Sequence, residues 1–150
     1  MITVDSNIIV YLYDDRAPEK AATAERVVRA LAERKSAVAL QVVGEVQNVL
    51  RRKFKTPSWK AAQVGHNLLQ AFETFSYSRD AVDRALGQLS TGRFSYWDAL
   101  LLASADEAGC TTLLSEDMQS GDRLGNVEIV NPFAPDGGLS ARARELLEVL

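Results

Sequence analysis

The stretch Ile2-Thr3-Val4-Asp5-Ser6-Asn7-Ile8-Ile9-Val10-Tyr11-Leu12-Tyr13 decides the fold class. Its first three residues form a short β-rich run that stops at Asp5. The apolar run from Ile8 to Tyr13 then begins the first predicted helix. A buried strand that ends at an acid and passes at once into a helix is typical of α/β proteins.

The rest of the chain continues this alternation. Further helices are predicted at 21–35, 41–53, 59–72, 80–89 and 95–108, and strands at 37–40, 74–78, 111–114 and 127–130. Pro18 stands where a helix can begin, and Gly109 stands where a left-handed helix cap requires glycine. Strands that alternate with helices predict a mainly parallel sheet covered on both faces, the α/β class.

The chain length of 150 residues is that of one domain. We expect residues 1–133 to form this domain and residues 134–150 to form a linker and a short amphipathic C-terminal helix. The helix carries an apolar stripe at helical spacing: Leu139, Ala143, Leu146, Leu147 and Leu150. Because so short a helix is marginal alone in water, we expect the stripe to dock on its own subunit or within a dimer.

Composition excludes several classes of protein. A hydrophobic content of 47% excludes a disordered chain, and a net charge of −3 excludes a surface that is basic overall. Cys110 and His66 are the only cysteine and histidine, which excludes an internal disulfide and a Cys/His zinc site and indicates a reducing compartment. With no secretory signal and no membrane-spanning run, we expect a soluble cytoplasmic protein.

Four of the twenty acids adjoin apolar sequence at a strand end or in the early turns of a helix: Asp5, Glu45, Asp98 and Asp117. Ligands of open α/β sheets bind outside the carboxyl ends of the strands, where these acids can converge. Each acid also has a structural interpretation. Asp5 can cap a helix, and Glu45 can be a solvated residue at the border of the core. Asp98 can complete a capping box that begins at Ser95, and Asp117 can be a turn residue. The combination favours one carboxylate cluster.

A carboxylate cluster suits a hard divalent cation. Mg²⁺ and Mn²⁺ take oxygen ligands, keep several waters and bind through few carboxylates together with substrate phosphate. Such an ion lowers the pKa of a bound water and stabilises charge on a phosphoryl oxygen, so no catalytic histidine is needed. We therefore expect Mg²⁺ or Mn²⁺ as the cofactor.

Four segments occur in a characteristic order: Val4-Asp5-Ser6-Asn7-Ile8-Ile9-Val10-Tyr11, Val43-Gly44-Glu45-Val46, Tyr96-Trp97-Asp98-Ala99-Leu100 and Leu114-Ser115-Glu116-Asp117-Met118. Over residues 1–133 the chain thereby resembles the PIN-domain ribonucleases, and among them the VapC-type toxins of bacterial toxin-antitoxin pairs. The resemblance implies a three-layer α/β/α sandwich around a parallel sheet. It also implies a homodimer that cuts RNA and a small antitoxin protein as partner.

The same resemblance assigns the site residues. Asp5, Glu45, Asp98 and Asp117 are implied to be catalytic, and all of them except Glu45 are implied to hold the metal. Two small polar residues are implied to support them: Asn7 would orient the first acid, and Ser115 would sit beside the metal or the scissile phosphate. Asp122 is the nearby candidate for a further acid after the fourth.

Basic and aromatic residues near these segments have two interpretations each. The helix predicted to carry Glu45 ends in the run Arg51-Arg52-Lys53-Phe54-Lys55. Its cations either interact favourably with the negative end of the helix dipole or bind RNA phosphates: Arg51, Arg52, Lys53 and Lys55. Trp97 is interpreted as a core residue, with base stacking as the alternative. Cys110 is predicted to be a small buried hydrophobe.

The favoured function is a metal-dependent endoribonuclease, in which water on the cation attacks the phosphodiester. Two alternatives stay open: a non-catalytic nucleic-acid or protein-binding module with the same fold, and a DNA nuclease. Four acids argue against a pure binder, because an anionic pocket repels phosphates. RNA and DNA nucleases differ in how they contact the 2′-hydroxyl, which depends on side-chain geometry.

Overall fold

A computed structural model describes residues 1–148 of the chain. This range contains six strands: β1 Ile2–Val4, β2 Ala37–Ala39, β3 Glu73–Phe75, β4 Thr112–Leu114, β5 Arg123–Leu124 and β6 Val127–Val130. It also contains seven α-helices: α1 Ser6–Val10, α2 Pro18–Ala32, α3 Leu40–Lys53, α4 Ser58–Ala71, α5 Arg79–Thr91, α6 Tyr96–Glu107 and α7 Ala141–Leu147. Strands and helices alternate through most of the range, which confirms the predicted α/β class.

The main sheet is parallel except at one edge. Its strand order is β1-β4-β6-β5, with β1, β4 and β6 parallel and β5 antiparallel to β6. A second parallel pair, β2 and β3, lies beside β1 through a bridge between Ile2 and Ser36. Val4 is the register partner of Leu114, so β1 and β4 end side by side at the same edge.

Both faces of the sheet are covered. Ile2, Thr3 and Val4 are all buried, although successive residues of a strand point to opposite faces. The strand β4 shows the same fully buried pattern. The helix α6 is buried along residues 99–105 and belongs to the same apolar core. The observed packing confirms the predicted sandwich of helices around a mainly parallel sheet.

Helix ends follow local capping chemistry. Asp5 caps α1, and the helix therefore begins at Ser6, two residues before the predicted start. Pro18 is the first residue of α2, three residues before the predicted start of that helix. The strand β5 was not predicted from the sequence. It has only two residues and joins β6 through a turn in which Gly125 has a φ of +59°.

The residues after Phe133 return to the body of the fold. Phe133 forms a bridge with Leu139, and the Thr23 hydroxyl on α2 donates to the Gly137 carbonyl over 2.6 Å. The buried side chains of this tail are Leu139, Ala143 and Leu147. The apolar stripe therefore docks on its own subunit, while its last predicted member, Leu150, lies outside the described residues. The boundary at residue 133 stays a prediction.

Within residues 1–148, no helix combines the length and the apolar character that a bilayer crossing needs.

Candidate metal centre

The four acids come from four different elements. Asp5 follows β1, Glu45 lies in α3, Asp98 lies in the first turn of α6, and Asp117 follows β4. The Asp5 N–H donates to the Leu114 carbonyl over 2.9 Å, which extends the ladder between β1 and β4 by one residue. The carboxyl ends of these two parallel strands therefore form one wall of the candidate centre.

Asp5 is the most buried of the four acids, with 7% of its surface exposed. Its Oδ1 atom accepts from the Ser6 N–H over 2.7 Å, so Asp5 does cap α1. Its Oδ2 atom accepts from the Ser115 hydroxyl over 2.8 Å and from Asn7 Nδ2 over 3.3 Å. The structural and functional interpretations of Asp5 are thus compatible, because its two oxygens face different donors.

Asn7 joins the end of β1 to the loop after β4. Its Nδ2 atom lies 3.2 Å from Ser115 Oγ and 3.2 Å from Asp117 Oδ2, in addition to its contact with Asp5. Its Oδ1 atom accepts from the Glu116 N–H over 3.2 Å. One amide side chain therefore holds two of the candidate acids at a fixed separation.

Glu45 is held from two sides. Its Oε2 atom accepts from the Ser6 hydroxyl over 3.0 Å, and its Oε1 atom accepts from Gln41 Nε2 over 3.1 Å. Gln41 lies one helical turn before Glu45 on α3, a spacing at which side chains meet. These contacts fix the glutamate at the border of the core, where it is half-buried.

Asp98 combines a capping position with a place in the cluster. Its backbone N–H donates to the Ser95 hydroxyl over 3.2 Å, so the hydroxyl half of the predicted capping box is present. Burial raises the pKa of its carboxyl group, and the charges of Glu45 and Asp117 raise that pKa further. Hydrogen bonding of the carboxyl group itself to the Ser95 side chain lowers the pKa and so acts in the opposite direction.

The same forces act more strongly on Asp5. Burial raises the pKa of its carboxyl group from 3.8 to about 6. Hydrogen bonds from Ser115 and from the Ser6 backbone lower that pKa, while the charges of Glu45 and Asp98 raise it. Asp5, Glu45, Asp98 and Asp117 are therefore coupled electrostatically, and they constitute what we call the acid cluster.

The acid cluster lacks internal neutralisation. Within residues 1–148, none of its four carboxylates lies within 4.0 Å of a lysine or arginine nitrogen. In the same range, no three acidic, histidine or cysteine side chains are close enough to enclose a metal ion by themselves. An all-oxygen donor set with raised pKa values suits a hard cation that keeps several waters, and less a cation enclosed entirely by protein.

Several residues that contact the cluster were not predicted from the sequence. Ser6 and Gln41 hold Glu45, and their positions next to Asp5 and one turn before Glu45 are signals that could have identified them. Glu116 accepts from the Tyr11 hydroxyl over 2.7 Å and from Lys20 Nζ over 2.8 Å. The acid beside Asp117 is therefore neutralised by a contact between distant elements, which no local pattern reveals.

Asp122 occupies a different place. It lies just before β5, and its Oδ1 atom is 4.0 Å from the Arg93 guanidinium. The charge of Asp122 is not among the main causes of the raised pKa of Asp5 or Asp98. The structure thus places this candidate beside a cation, and a part for it in the centre stays a prediction.

Lys53 is the member of the basic run that the structure brings to the centre. It lines a cavity of about 320 Å³ together with Ser6, Asn7 and Asp117. Arg51, Arg52 and Lys55 are exposed at the carboxyl end of α3. The run therefore interacts favourably with the carboxyl end of the α3 dipole, and it also places one cation at the cavity that Asp117 lines.

The interpretation of Trp97 as a core residue was wrong. Its side chain is 60% exposed, and its ring contacts the Tyr96 ring edge to face at 5.0 Å between centroids. The first turn of α6 projects beyond the core, so the apolar surroundings of the later turns do not extend to it. Cys110 is buried, as predicted.

Residues 2–121 match the family model of the PIN domain. This chain belongs to the PIN domain family. The PIN domain assignment covers the strands β1 to β4 and all four members of the acid cluster. No curated protein matches this PIN domain significantly.

Three solved structures of bacterial proteins have the same fold. Mycobacterium tuberculosis VapC20, a sarcin-ricin loop cleaving toxin, has 21% identity and a TM-score of 0.60 over 78% of this chain and 90% of that chain. A toxin-antitoxin complex from Klebsiella pneumoniae has 19% identity and a TM-score of 0.60 over 85% and 95%. VapBC2 from Rickettsia felis, bound to a DNA fragment from its promoter, has 17% identity and a TM-score of 0.61 over 86% and 97%. These similarities confirm the fold of the PIN domain.

Proposed function

We propose that this PIN domain is a Mg²⁺- or Mn²⁺-dependent endoribonuclease and the toxin of a toxin-antitoxin pair. The observation that carries the proposal is the acid cluster itself. Four carboxylates converge from four elements with raised pKa values at Asp5 and Asp98, and no lysine or arginine within residues 1–148 pairs with them. A bound divalent cation would relieve this repulsion.

The residues divide into holding and positioning roles. Asp5, Asp98 and Asp117 would hold the cation, partly through waters that it keeps, and the cation when bound would lower the pKa of a water and stabilise charge on the scissile phosphate. Asn7 and Ser115 keep the Asp5 and Asp117 carboxylates oriented through their hydrogen bonds. Glu45 Oε2, held by Ser6, would orient the attacking water.

Substrate and partner follow from chemistry and from the solved structures. Lys53 offers a cation to a phosphate beside the acid cluster, and Arg51, Arg52 and Lys55 would extend that contact along the end of α3. VapC20 is a sarcin-ricin loop cleaving toxin, and this loop is RNA. The Klebsiella pneumoniae structure is a toxin-antitoxin complex, and the Rickettsia felis structure is VapBC2. They support RNA as substrate and an antitoxin protein as partner, and we further propose a homodimer and a cytoplasmic location.

Nuclease activity distinguishes this proposal from its two alternatives, a non-catalytic binding module and a DNA nuclease. A non-catalytic binding module would have to tolerate an unneutralised anionic pocket facing phosphates, which is unfavourable. A DNA nuclease would share the whole arrangement and differ in substrate alone.

The decisive experiment compares single-stranded RNA and DNA of one sequence with Mg²⁺, with Mn²⁺ and with EDTA. We expect the purified protein to cleave the RNA with either cation and to stop with EDTA. Asp98→Asn should abolish cleavage, whereas Asp83→Asn, the same chemical change at an exposed position of α5, should leave it unchanged. Undiminished cleavage in excess EDTA, or cleavage of DNA alone, would overturn the proposal.

Metal binding is measured separately by thermal denaturation. Mg²⁺ should raise the melting temperature of the parent protein and of Asp83→Asn, and should have little effect on Asp98→Asn. This readout does not depend on finding the correct RNA sequence.

A further inference from the structure

The side chain of Trp97 is the large aromatic surface next to the acid cluster. It precedes Asp98 directly, and 60% of it is exposed. The edge-to-face contact with Tyr96, at 5.0 Å and 78°, limits the orientations that the indole ring can adopt. An exposed ring in a restricted orientation can offer an apolar surface at low entropic cost.

The indole lines a shallow groove of about 470 Å³ between α3 and α6. The other walls of the groove carry polar side chains or none: Gln41, Gly44, Glu45, Gln47 and Asn48. At Gly44, no atom lies within 4 Å of the position that a Cβ would take, so this part of the groove is open. One aromatic face surrounded by amide groups fits a nucleobase, which has an apolar face and a polar edge.

A protein segment fits the same groove less well. The cores of protein-protein interfaces bury apolar and aromatic groups from both partners, and here Trp97 has no aliphatic neighbour in the groove wall. The composition of the walls therefore favours a nucleobase over an apolar side chain.

A shared hydrogen-bond donor links the groove to the acid cluster. Gln41 Nε2 donates to the Trp97 carbonyl over 3.1 Å and to Glu45 Oε1 over 3.1 Å. Glu45 is also part of the groove wall. A base on the indole would therefore belong to a nucleotide close to the phosphate at the acids.

We propose that Trp97 is the stacking platform for one unpaired nucleobase of the RNA substrate, next to the scissile phosphate. This inference rests on the proposed function. A base in a duplex already has both faces stacked, so the platform selects single-stranded or looped RNA. Sequence preference would come from the carbonyl oxygen of Gln41 and from the amide groups of Gln47 and Asn48 at the base edge.

The two tryptophans of the chain, Trp59 and Trp97, allow a direct test by fluorescence. Trp59 lies in the first turn of α4 and is 74% exposed, so it is a matched control. Binding is measured with Mg²⁺ in an Asp117→Asn background, for which the proposed function predicts no cleavage. A single-stranded RNA oligonucleotide should quench the emission of the Trp59→Phe protein, in which Trp97 remains, and leave that of the Trp97→Phe protein nearly unchanged.

Affinity provides the second measurement. Trp97→Ala should weaken binding of the oligonucleotide about five- to 100-fold, since stacking of one base on an aromatic side chain has about this effect. Trp97→Phe should retain part of the affinity, and Trp59→Ala should change it less than twofold. A duplex of the same sequence should bind the parent and the Trp97→Ala protein equally.

The outcomes separate the two proposals. If Trp97→Ala binds and cleaves RNA like the parent while Asp98→Asn is inactive, the stacking proposal is wrong and the proposed function stands. If RNA quenches Trp97 but the parent also shows neither cleavage of a random-sequence RNA library nor stabilisation by Mg²⁺, Trp97 stacks a base in a binding module and the proposed function fails. If Trp97→Ala instead converts a dimer into a monomer in sedimentation, without losing affinity for RNA, the groove is an interface between two copies and the platform is wrong.

Discussion

Ser115 donates its hydroxyl hydrogen to the Oδ2 atom of Asp5 over 2.8 Å, although 110 positions of sequence separate the two residues. They meet because Val4 and Leu114 are partners in adjacent parallel strands. Both side chains are buried. The hydrogen bond favours the charged carboxylate, but burial outweighs it, so the pKa of Asp5 rises to about 6.

This raised pKa predicts an unusual pH dependence for the metal-free protein. Between pH 4 and 6 the folded state binds a proton at Asp5 that the unfolded chain has already released. Stability should therefore be greater at pH 4 and should fall as the pH rises towards 6, by roughly 2–3 kcal/mol at most for a shift of about two pKa units. Thermal denaturation in EDTA across this range measures the effect.

The matched variants for this prediction are Asp5→Asn and Asp83→Asn. Asp5→Asn should remove most of the fall in stability between pH 4 and 6, a smaller part remaining because the pKa of Asp98 is also raised, and Asp83→Asn should leave the profile as in the parent. A difference in stability between the parent and Asp5→Asn that stays constant from pH 4 to 6 would show that Asp5 ionises normally.

We expect Asn7 to be required as a hydrogen-bond donor, and not only for the volume of its side chain. Asn7→Asp keeps an acceptor for the Glu116 N–H but places a further carboxylate oxygen against Asp5 and Asp117. We expect it to lower metal-free stability at pH 7 by about 1–3 kcal/mol, the cost of losing a hydrogen bond to a charged group. Mg²⁺ should restore part of this loss. If Asn7→Asp is destabilised equally with and without Mg²⁺, Asn7 has a structural role alone.

Two substitutions at the start of α6 distinguish helix capping from metal binding. Ser95→Ala removes the hydroxyl that accepts from the Asp98 N–H and should cost about 1 kcal/mol of stability while cleavage continues. Asp98→Asn keeps that hydrogen bond, because it uses the backbone, and removes a charge from a repulsive cluster. It should abolish cleavage and leave the metal-free protein as stable as the parent or more so. An Asp98→Asn protein that is inactive because it unfolds would instead favour the capping interpretation.

Lys53 should contribute to RNA binding through its charge. Lys53→Gln should weaken RNA binding and should reduce the slope of log affinity against log salt by about 0.7, the value for one phosphate contact on a single strand. Lys35→Gln is the control, because Lys35 is an exposed lysine outside the basic run and does not line the cavity beside Asp117. Equal salt slopes for the two variants would assign the basic run to the helix dipole alone.

The C-terminal helix should stabilise the fold without taking part in cleavage. Leu147 is 1% exposed, and Arg34 donates to the Leu146 and Leu147 carbonyls. Leu147→Ala should cost about 2–4 kcal/mol, and Leu146→Ala, at a partly buried position, should cost less. The melting temperature measures both, and cleavage per folded molecule should not change. Unchanged stability after deletion of residues 138–150 would contradict this packing.

The sequence predicted the fold well because periodicity and caps are local signals. The apolar run from Ile2 to Val4 indicates a strand, and Pro18 and Ser95 each indicate the start of a helix. The observed elements lie within a few residues of the predicted ones. The strand β5 was not predicted because two residues are too few to show the alternation of apolar and polar side chains that indicates a strand. Its pairing depends on β6 and on the turn at Gly125.

The candidate site was predictable as a set of acids but not as a network. Asp5 is recognisable because it ends a strand, whereas the neutralisation of Glu116 by Lys20 depends on packing across 96 positions. The exposure of Trp97 depends on how far the first turn of α6 projects from the core, which no helical wheel specifies. Contacts of this kind are set by tertiary structure.

The parallel pairing of β1 with β4 also sets the time at which the acid cluster first exists in a newly made chain. Asp5 leaves the ribosome early, but Ser115 and Asp117 follow about 110 residues later. At a synthesis rate of about 5–20 residues per second, this interval lasts roughly 5–20 seconds. During that interval a nascent chain carries Asp5 without its partners, and a ribosome that is making the protein is not yet exposed to an assembled centre.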